Sequence, residues 1–291
     1  MFAPLSTTKR GGGRKRVIDA KSCLGLVLTW YRFKGAEFIL QGWFGFVGSH
    51  LNVWLRFGRR GLVQLLWNDE DAKIVLPTDE KIEQLKVIVK AKHPLLSGVF
   101  CVADGLKQTF QCHADLNKQS MYCNGWTHDH CIANLFTFSL DGRIIMATIN
   151  APGSLHDSQL ANWGGFYDTL SDVYDRTGGM CCVDSAFACV GKPFLIQSSQ
   201  KPNGNEDAIG LLQMSEATAL RQAAEWGMHA IQASFPRMTE RIRIEENGER
   251  RVFLHLMPLL YNFRLTNVGL NQLQSTCCPG WSVEAEHFIH F

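Results

Sequence analysis

Two aspartates that directly follow buried strands are the residues with the clearest chemical potential. Asp104 comes after the apolar run 99–103, and Asp184 comes after the apolar run 180–183. Ligands of open α/β sheets bind in the crevice at the carboxyl ends of the strands. We therefore expect both carboxylates to face one crevice.

Two further acids, Asp157 in a turn before a helix and Glu225 inside a later helix, are candidates for the same site. Several carboxylates in one site repel, and one takes up a proton unless a cation is present. Oxygen-rich sites without thiolates suit Mg²⁺ or Mn²⁺. Two such ions, ~3.5–4 Å apart, can activate a water or hydroxyl and stabilise the leaving oxygen of a phosphodiester. The four acids thus predict a divalent-metal site.

Each acid also has a purely structural interpretation. Asp157 could cap its helix, and Asp104 could be a turn residue. Glu225 could pair with Arg221, one helical turn earlier. Glu216 competes with Glu225 for the helical ligand, because the two point to opposite faces of one helix. Spacing alone does not choose between them.

Composition bounds the class of protein. The 291 residues suffice for two domains or one large one, and a 46% hydrophobic share indicates a globular fold. With 29 basic and 27 acidic residues the net charge is +2, which excludes a uniformly basic, histone-like protein. No apolar run reaches the ~18–20 residues of a membrane span, and the polar, basic start is unlike a secretory signal. We expect no membrane association.

The ten cysteines include no CxxC pair, which indicates small buried side chains in a reducing, intracellular compartment. A central group of cysteines and histidines could bind zinc, although its spacings match no common zinc module. The group comprises Cys112, His113, Cys123, His128, His130 and Cys131.

A basic arm at residues 1–16 precedes the folded part of the chain. It carries Arg14, Lys15 and Arg16 beside a glycine run and contains no acid. The segment is predicted to be disordered. It could be a nuclear-import signal, a phosphate-binding arm or a solubilising tail.

Residues 17–95 are predicted to be helical, with a third helix at about 49–67 and a fourth at about 79–92. Arg56, Arg59 and Arg60 share one face of the third helix. A short helix, a glycine turn and a helix with a basic stripe are typical of a helix-turn-helix DNA reader. A small helical domain with a solvated face is the alternative.

Beyond residue 98 the pattern predicts a mixed α/β domain. Strands are expected at 99–103, around 108–114, at 131–139, 144–149 and 180–183, and helices at 156–173, 214–232 and 253–265. Asp141 and Gly142 predict a hairpin turn. Of the tryptophans, Trp126, Trp163 and Trp226 are expected to be scaffolding rather than stacking platforms for bases.

Several motifs, in this order, resemble the DDE endonuclease domain of PIF/Harbinger-type transposases over about residues 98–270. They are Ala103-Asp104-Gly105-Leu106-Lys107, Tyr122-Cys123-Asn124-Gly125-Trp126, Ala151-Pro152-Gly153-Ser154-Leu155-His156-Asp157-Ser158, Val183-Asp184-Ser185-Ala186-Phe187, Arg221-Gln222-Ala223-Ala224-Glu225-Trp226-Gly227 and Tyr261-Asn262-Phe263-Arg264. The stretch around Pro152 and Asp157 is the most specific. Ala186-Phe187 departs from the Gly-Tyr that the family often has.

The resemblance implies a ribonuclease-H-like fold and metal-dependent cutting and joining of DNA strands. Asp104, Asp184 and Glu225 would be the DDE triad, with Asp104 bridging two Mg²⁺ or Mn²⁺ ions. Asp157 would be an accessory acid and metal ligand. The resemblance also favours Glu225 over Glu216.

The same resemblance implies DNA partners, namely transposon ends and a target, contacted by the arginine stripe and the basic arm. It further implies a nuclear protein, a separately encoded Myb-like partner and a homo-oligomer. The expected organisation is a basic arm (1–16), a helix-turn-helix-like domain (17–95), the endonuclease domain (98–270) and a tail (271–291). The competing hypothesis is a domesticated, catalytically silent DNA-binding or adaptor protein on the same fold.

Overall fold

The computed structural model of the chain describes residues 18–111, 115–198 and 208–269. The expected basic arm, with Arg14, Lys15 and Arg16, and the expected tail 271–291 lie outside these residues. Within the described ranges, no helix combines the length and the apolar character that crossing a membrane requires.

Four helices open the described chain: α1 Ala20–Arg32, α2 Glu37–Phe44, α3 Gly48–Leu66 and α4 Asp79–Lys92. Polar caps set two of their starts, since Asp19 accepts from the Ser22 amide and Thr78 from the Lys81 amide. Gly45 ends α2 with a φ of 67°, a left-handed conformation that suits glycine. The predicted third and fourth helices agree with α3 and α4.

The centre of the fold is a six-stranded mixed sheet. Its strands are β1 Val99–Thr109, β2 Cys123–Asn124, β3 Asp129–Ser139, β4 Ile144–Pro152, β5 Met180–Val183 and β6 Leu195–Gln197. The long strand β1 lies in the middle, antiparallel to β3 and parallel to β5, and β6 continues the sheet parallel to β5. β4 and the short β2 both pair with β3. A mixed sheet flanked by helices confirms the expected ribonuclease-H-like α/β class.

Five further helices complete the described fold: α5 Leu116–Tyr122, α6 Asp157–Trp163, α7 Phe166–Thr177, α8 Ala208–Ser234 and α9 Asn247–Val268. Helix α8 packs against β1 and β5 and continues to β3. It approaches the sheet closely at Gly227, where an added Cβ would lie 2.8 Å from the Phe138 ring. The absence of a side chain there lets the helix rest directly on the sheet.

Two predicted elements were wrong. The apolar run 99–103 is only the first half of β1, which continues to Thr109 in unbroken register with β3, so no separate strand begins at 108. The segment that follows Asp104 is only partly buried, so the sequence there lacks the apolar run that indicates a strand. The predicted helix 156–173 is two helices, α6 and α7, separated by Gly164 and Gly165, and Gly165 has a left-handed φ of 69°.

The helical segment shares one hydrophobic core with the sheet and α9. The Tyr31 hydroxyl donates to the Phe253 carbonyl over 2.8 Å, and the Trp30 ring meets the Phe253 ring edge-on. Helix α4 packs against β1. The division of the chain near residue 95 stays a prediction, but these contacts tie the first four helices to the rest of the described fold.

The arginine stripe on α3 faces α9 rather than open solvent. Arg56 pairs with Glu246 over 3.8 Å at the surface. Arg59 is only 5% exposed, pairs with the buried Glu249 over 3.6 Å and has its guanidinium 4.8 Å from the Trp30 ring. Arg60 also pairs with Glu249. A phosphate contact by Arg59 does not fit this buried position, because α3 would have to separate from α9 to expose it.

The buried pair generates a stability prediction. Replacing Glu249 with Gln leaves the Arg59 charge buried without its counter-ion, a change that costs about 3–5 kcal/mol for buried pairs. Replacing Glu246 with Gln removes an exposed pair and should cost less than about 1 kcal/mol. Urea unfolding of the two variants measures the difference. Equal losses would contradict a structural role for the buried pair.

Candidate active site

Strand register places the two strand aspartates side by side. Val102 of β1 pairs with Cys182 of the parallel strand β5. Two residues further along each strand come Asp104 and Asp184, both half-buried. β5 ends at Val183 while β1 continues, so the pair lies where the β5 side of β1 becomes open. The predicted meeting of these carboxylates at the end of β5 agrees with the structure, although Asp104 itself lies within its strand rather than at its end.

Burial and neighbouring charge act strongly on Asp104. Burial, followed by the negative charges of Asp184 and Asp157, raises the pKa of this carboxyl, which lies at about 6 instead of 3.8. A hydrogen bond of 2.8 Å from the Gly105 amide and the charge of Arg221 act in the opposite direction. A carboxyl with a perturbed pKa beside other acids is typical of a functional site. A cation nearby would stabilise its charged form.

The loop after β5 fixes Asp184. Its Oδ1 accepts a 2.6 Å hydrogen bond from the Ala186 amide. Gln197 on β6 donates through Nε2 to the carbonyls of Ser185 and Phe187, over 2.9 and 3.2 Å. The neighbouring strand thus holds the turn that carries this carboxylate.

Asp157 reaches the same region from α6. His156 is the N-cap of this helix and its amide donates to the Gln159 side chain, so Asp157 is the first helical residue and not the cap. The Asp157 Oδ1 is buried without a hydrogen-bond partner. A Cβ on Gly105 would lie 2.9 Å from that oxygen. Since neighbouring strand residues point to opposite faces, Asp157 approaches β1 on the face opposite the Asp104 side chain.

Burial, followed by the charge of Asp184, raises the pKa of Asp157, while Lys107 and His156 lower it. Lys107 lies three residues beyond Asp104 on β1. An unpaired buried carboxylate oxygen costs free energy unless a cation or a proton satisfies it. Asp157 therefore offers an unpaired oxygen to a cation, from the face of β1 opposite the Asp104 side chain.

The turn before α6 is held by a buried asparagine. Asn124 donates through Nδ2 to the Gly153 carbonyl over 2.7 Å. Gly153 packs so tightly on the Cys131 backbone that no side chain fits there. The Ser154 amide donates to the Met121 carbonyl over 3.2 Å. These contacts join the turn that leads into Asp157 to the segment 121–124.

The two helical acids of α8 have different partners. Glu216 accepts a 3.0 Å hydrogen bond from the Leu95 amide, before the start of β1. Glu225 is exposed and forms a 2.6 Å ion pair with Arg221, the i+4 pair that its spacing allows. Arg221 in turn lies close enough to Asp104 to lower its pKa. The structure therefore relates Glu225 to Asp104 only through their shared neighbour Arg221, whereas Glu216 bonds the Leu95 amide before β1.

Among the described residues, no three His, Cys, Asp or Glu side chains converge closely enough to hold a metal ion. The chemistry of the donors nevertheless fits a hard cation, because the charges of Asp157 and Asp184 both act on Asp104 and one Asp157 oxygen lacks a partner. Binding to all of them requires side chains to rotate. The zinc hypothesis stays a prediction, since Cys112 and His113 lie outside the described residues.

Sequence reasoning missed three supporting residues. Arg221 was noted only as an ion-pair partner, yet its charge acts on Asp104. The roles of Lys107 and of Asn124 went unrecognised. The signal for Asn124 was available, because a buried amide next to a glycine often closes a turn.

The shifted carboxyl gives a prediction on stability. Folded Asp104 holds its proton to a higher pH than the unfolded chain, so the free energy of unfolding falls as pH rises from about 4 to about 6. Asp104→Asn removes this penalty and keeps an acceptor for the Gly105 amide. Without metal, the variant should be more stable than wild type by about 1–3 kcal/mol above pH 6.

Thermal melts in a chelator over this pH range measure the effect. The two proteins should converge below about pH 4. Asp172→Asn, a change at an exposed acid of α7, is the matched control and should show no such pH-dependent gain. A variant less stable than wild type at neutral pH would contradict the destabilisation assigned to the buried charge of Asp104.

Comparison with known proteins agrees with this geometry. A family described as DDE superfamily endonuclease matches residues 103–262, more than half of the chain, and the matched range contains Asp104, Asp157, Asp184 and Glu225. No curated protein and no solved structure matches the chain. The match spans the sheet from β1 onward together with α8 and most of α9. On this match, the chain belongs to the DDE superfamily of endonucleases.

Proposed function

We propose that this protein is a metal-dependent DNA endonuclease of the transposase type, related to the PIF/Harbinger group, which cuts and joins DNA strands. The observation that carries the proposal is the side-by-side placement of Asp104 and Asp184 across parallel strands, with the unpaired Asp157 oxygen nearby. Membership of the DDE endonuclease superfamily supports the nuclease chemistry.

In this proposal Asp104, Asp157, Asp184 and Glu225 hold Mg²⁺ or Mn²⁺. When bound, one or two such ions supply activation of a water or 3′-hydroxyl and stabilisation of the leaving oxygen. The protein contributes the placement of the carboxylates. With a pKa of about 6, Asp104 is mostly ionised at neutral pH and becomes protonated in mild acid.

Arg221 has two roles in the proposal. Its guanidinium partly neutralises the strand acids while it pairs with Glu225. Glu225 is exposed, and rotation of its side chain away from Arg221 would free it for a cation held by the aspartates. An i,i+4 helix pair of this kind contributes only about 0.3–0.5 kcal/mol, so breaking it costs little.

The DNA would be a transposon end and a target. Of the stripe residues, Arg56 remains at the surface and is proposed to contact phosphate, as are Arg14, Lys15 and Arg16 of the arm. Nuclear localisation, a Myb-like partner and a homo-oligomer that joins two ends belong to the same proposal and rest on the family resemblance.

The first test is cleavage of DNA that carries the terminal repeats of the source element, with Mg²⁺ or Mn²⁺ present. Asp184→Asn should lower the cleavage rate by about 10³-fold or more, because it removes a carboxylate from the proposed metal site. Asp172→Asn is the matched control and should cleave like wild type. Residual cleavage by Asp184→Asn near the wild-type rate would overturn the assignment.

The choice between the helical acids has its own test. Glu225→Gln should abolish cleavage and change the free energy of unfolding by less than about 0.5 kcal/mol, since it breaks only an exposed pair. Glu216→Gln should keep cleavage, because its side chain bonds the Leu95 amide away from the acids. The same assay with a denaturant titration measures both properties. The reverse pattern would identify Glu216 as the ligand.

A catalytically silent DNA-binding protein is the second candidate function. The observation in its favour is that the described acids do not converge into a metal cluster and that Glu225 is engaged by Arg221. Wild-type protein that binds the element's ends but never cuts them, with a partner protein added, would select this alternative.

A further inference from the structure

Trp126 is the most exposed tryptophan of the described residues, with 87% of its surface accessible. It lies in the four-residue loop between β2 and β3, within a motif whose tryptophan was expected to be scaffolding. That expectation does not fit the structure, because the indole packs against nothing that buries it. Tryptophan is mostly buried on average, and an exposed one is a frequent anchor of binding surfaces.

The loop presents this indole on a rigid base. Asn124 is only 3% exposed, and its Oδ1 accepts from the amides of Trp126 and Thr127 over 3.0 and 3.1 Å. His128 closes the loop in a left-handed conformation, with a φ of 52°. Asp129, at the start of β3, forms a 2.7 Å ion pair with Arg241. Both ends of the loop are therefore fixed.

The same asparagine links the loop to the acids. Asn124 donates to the Gly153 carbonyl in the turn that leads to Asp157. The first residues of β3 pair with the last residues of β1. The loop that precedes β3 therefore lies at the end of the sheet where β1 ends, beyond Asp104. Trp126 thus lies at this end of the sheet and is joined through Asn124 to the turn that leads to Asp157.

The surroundings of Trp126 suit a nucleic acid strand. The charge of Lys107 acts on Cys131, near the start of β3, and on Asp157, and the exposed His128 lies in the loop itself. Surfaces that bind single strands combine such charges with aromatic rings on which bases stack.

We propose that Trp126 stacks on an unpaired base of DNA that extends from the acid site along this end of the sheet. The inference rests on the proposed nuclease function and adds to it a contact that holds an unpaired base away from the acids. Stacking of a base on an aromatic side chain contributes about 1–3 kcal/mol, or roughly 5- to 150-fold in affinity.

The test is equilibrium binding of the full chain, in a chelator so that no DNA is cut. One probe is a dye-labelled duplex with unpaired central bases, and the other is the same duplex fully paired. Fluorescence anisotropy at low salt measures the binding of each. Trp126→Ala should weaken binding of the unpaired probe by about 5- to 100-fold and that of the paired probe by much less. Trp126→Phe, which keeps an aromatic ring, should retain most of the affinity.

Trp67→Ala is the matched control. Trp67, at the end of α3, is also exposed, at 52%. The nearby Glu70 carbonyl accepts a hydrogen bond from Arg143 in the β3–β4 turn, so this region lies at the opposite end of the sheet. Its loss should leave both affinities unchanged. Melting curves confirm that the variants fold.

Equal binding of the unpaired probe by Trp126→Ala and wild type would overturn the inference. So would a change in oligomeric state with DNA affinity intact, which would assign Trp126 to a protein interface. In either case loss of cleavage by Asp184→Asn would still support the nuclease, so the two failures are distinguishable. Absence of all DNA binding by wild type would overturn both.

Discussion

Burial of the Asp104 carboxylate beside the negative charge of Asp184 is the constraint around which this site is arranged. The parallel register of β1 and β5 fixes the two side chains at the same level, and the buried surroundings of Asp104 weaken the screening by water. Because the register also aligns the buried core residues, neither strand can shift to separate the charges without displacing the core. The fold therefore maintains an unfavourable charge arrangement that a bound cation would relieve.

Three glycines let neighbouring elements come close to the sheet and so support that arrangement. Gly227 brings α8 onto the sheet, which places Arg221 near Asp104. Gly105 leaves room for the Asp157 carboxylate, and Gly153 lets the preceding turn rest on β3. Each glycine stands where a side chain would push an element away from the acids. Natural proteins commonly retain such destabilising sites where function requires them.

The placement of Asp104 and Asp184 on neighbouring strands could be predicted from the sequence, because acids after apolar runs indicate strand ends in an α/β sheet. The continuation of β1 beyond Asp104 could not, since the polar residues that follow resemble a turn until their partner β3 is known. Helical spacing showed that Arg56, Arg59 and Arg60 share a face. It did not show that α9 covers that face, which depends on packing between distant segments.

The same limit applies to Glu216 and Glu225. Their separation predicts opposite faces of one helix, but only the tertiary structure shows that Glu216 bonds the Leu95 amide. The exposure of Trp126 also escaped prediction, because a tryptophan within a motif reads equally as core or as surface. Periodicity identifies faces and strand ends, whereas partners come from contacts between segments far apart in sequence.

Calorimetric titration of Mn²⁺ into the purified, DNA-free protein tests the central claim most directly. If the strand aspartates form a metal site, wild type binds Mn²⁺, binding weakens as the pH falls below about 6, and the double variant Asp104→Asn with Asp184→Asn does not bind. Equal Mn²⁺ binding by wild type and the double variant would contradict the account, because the metal would then occupy another site.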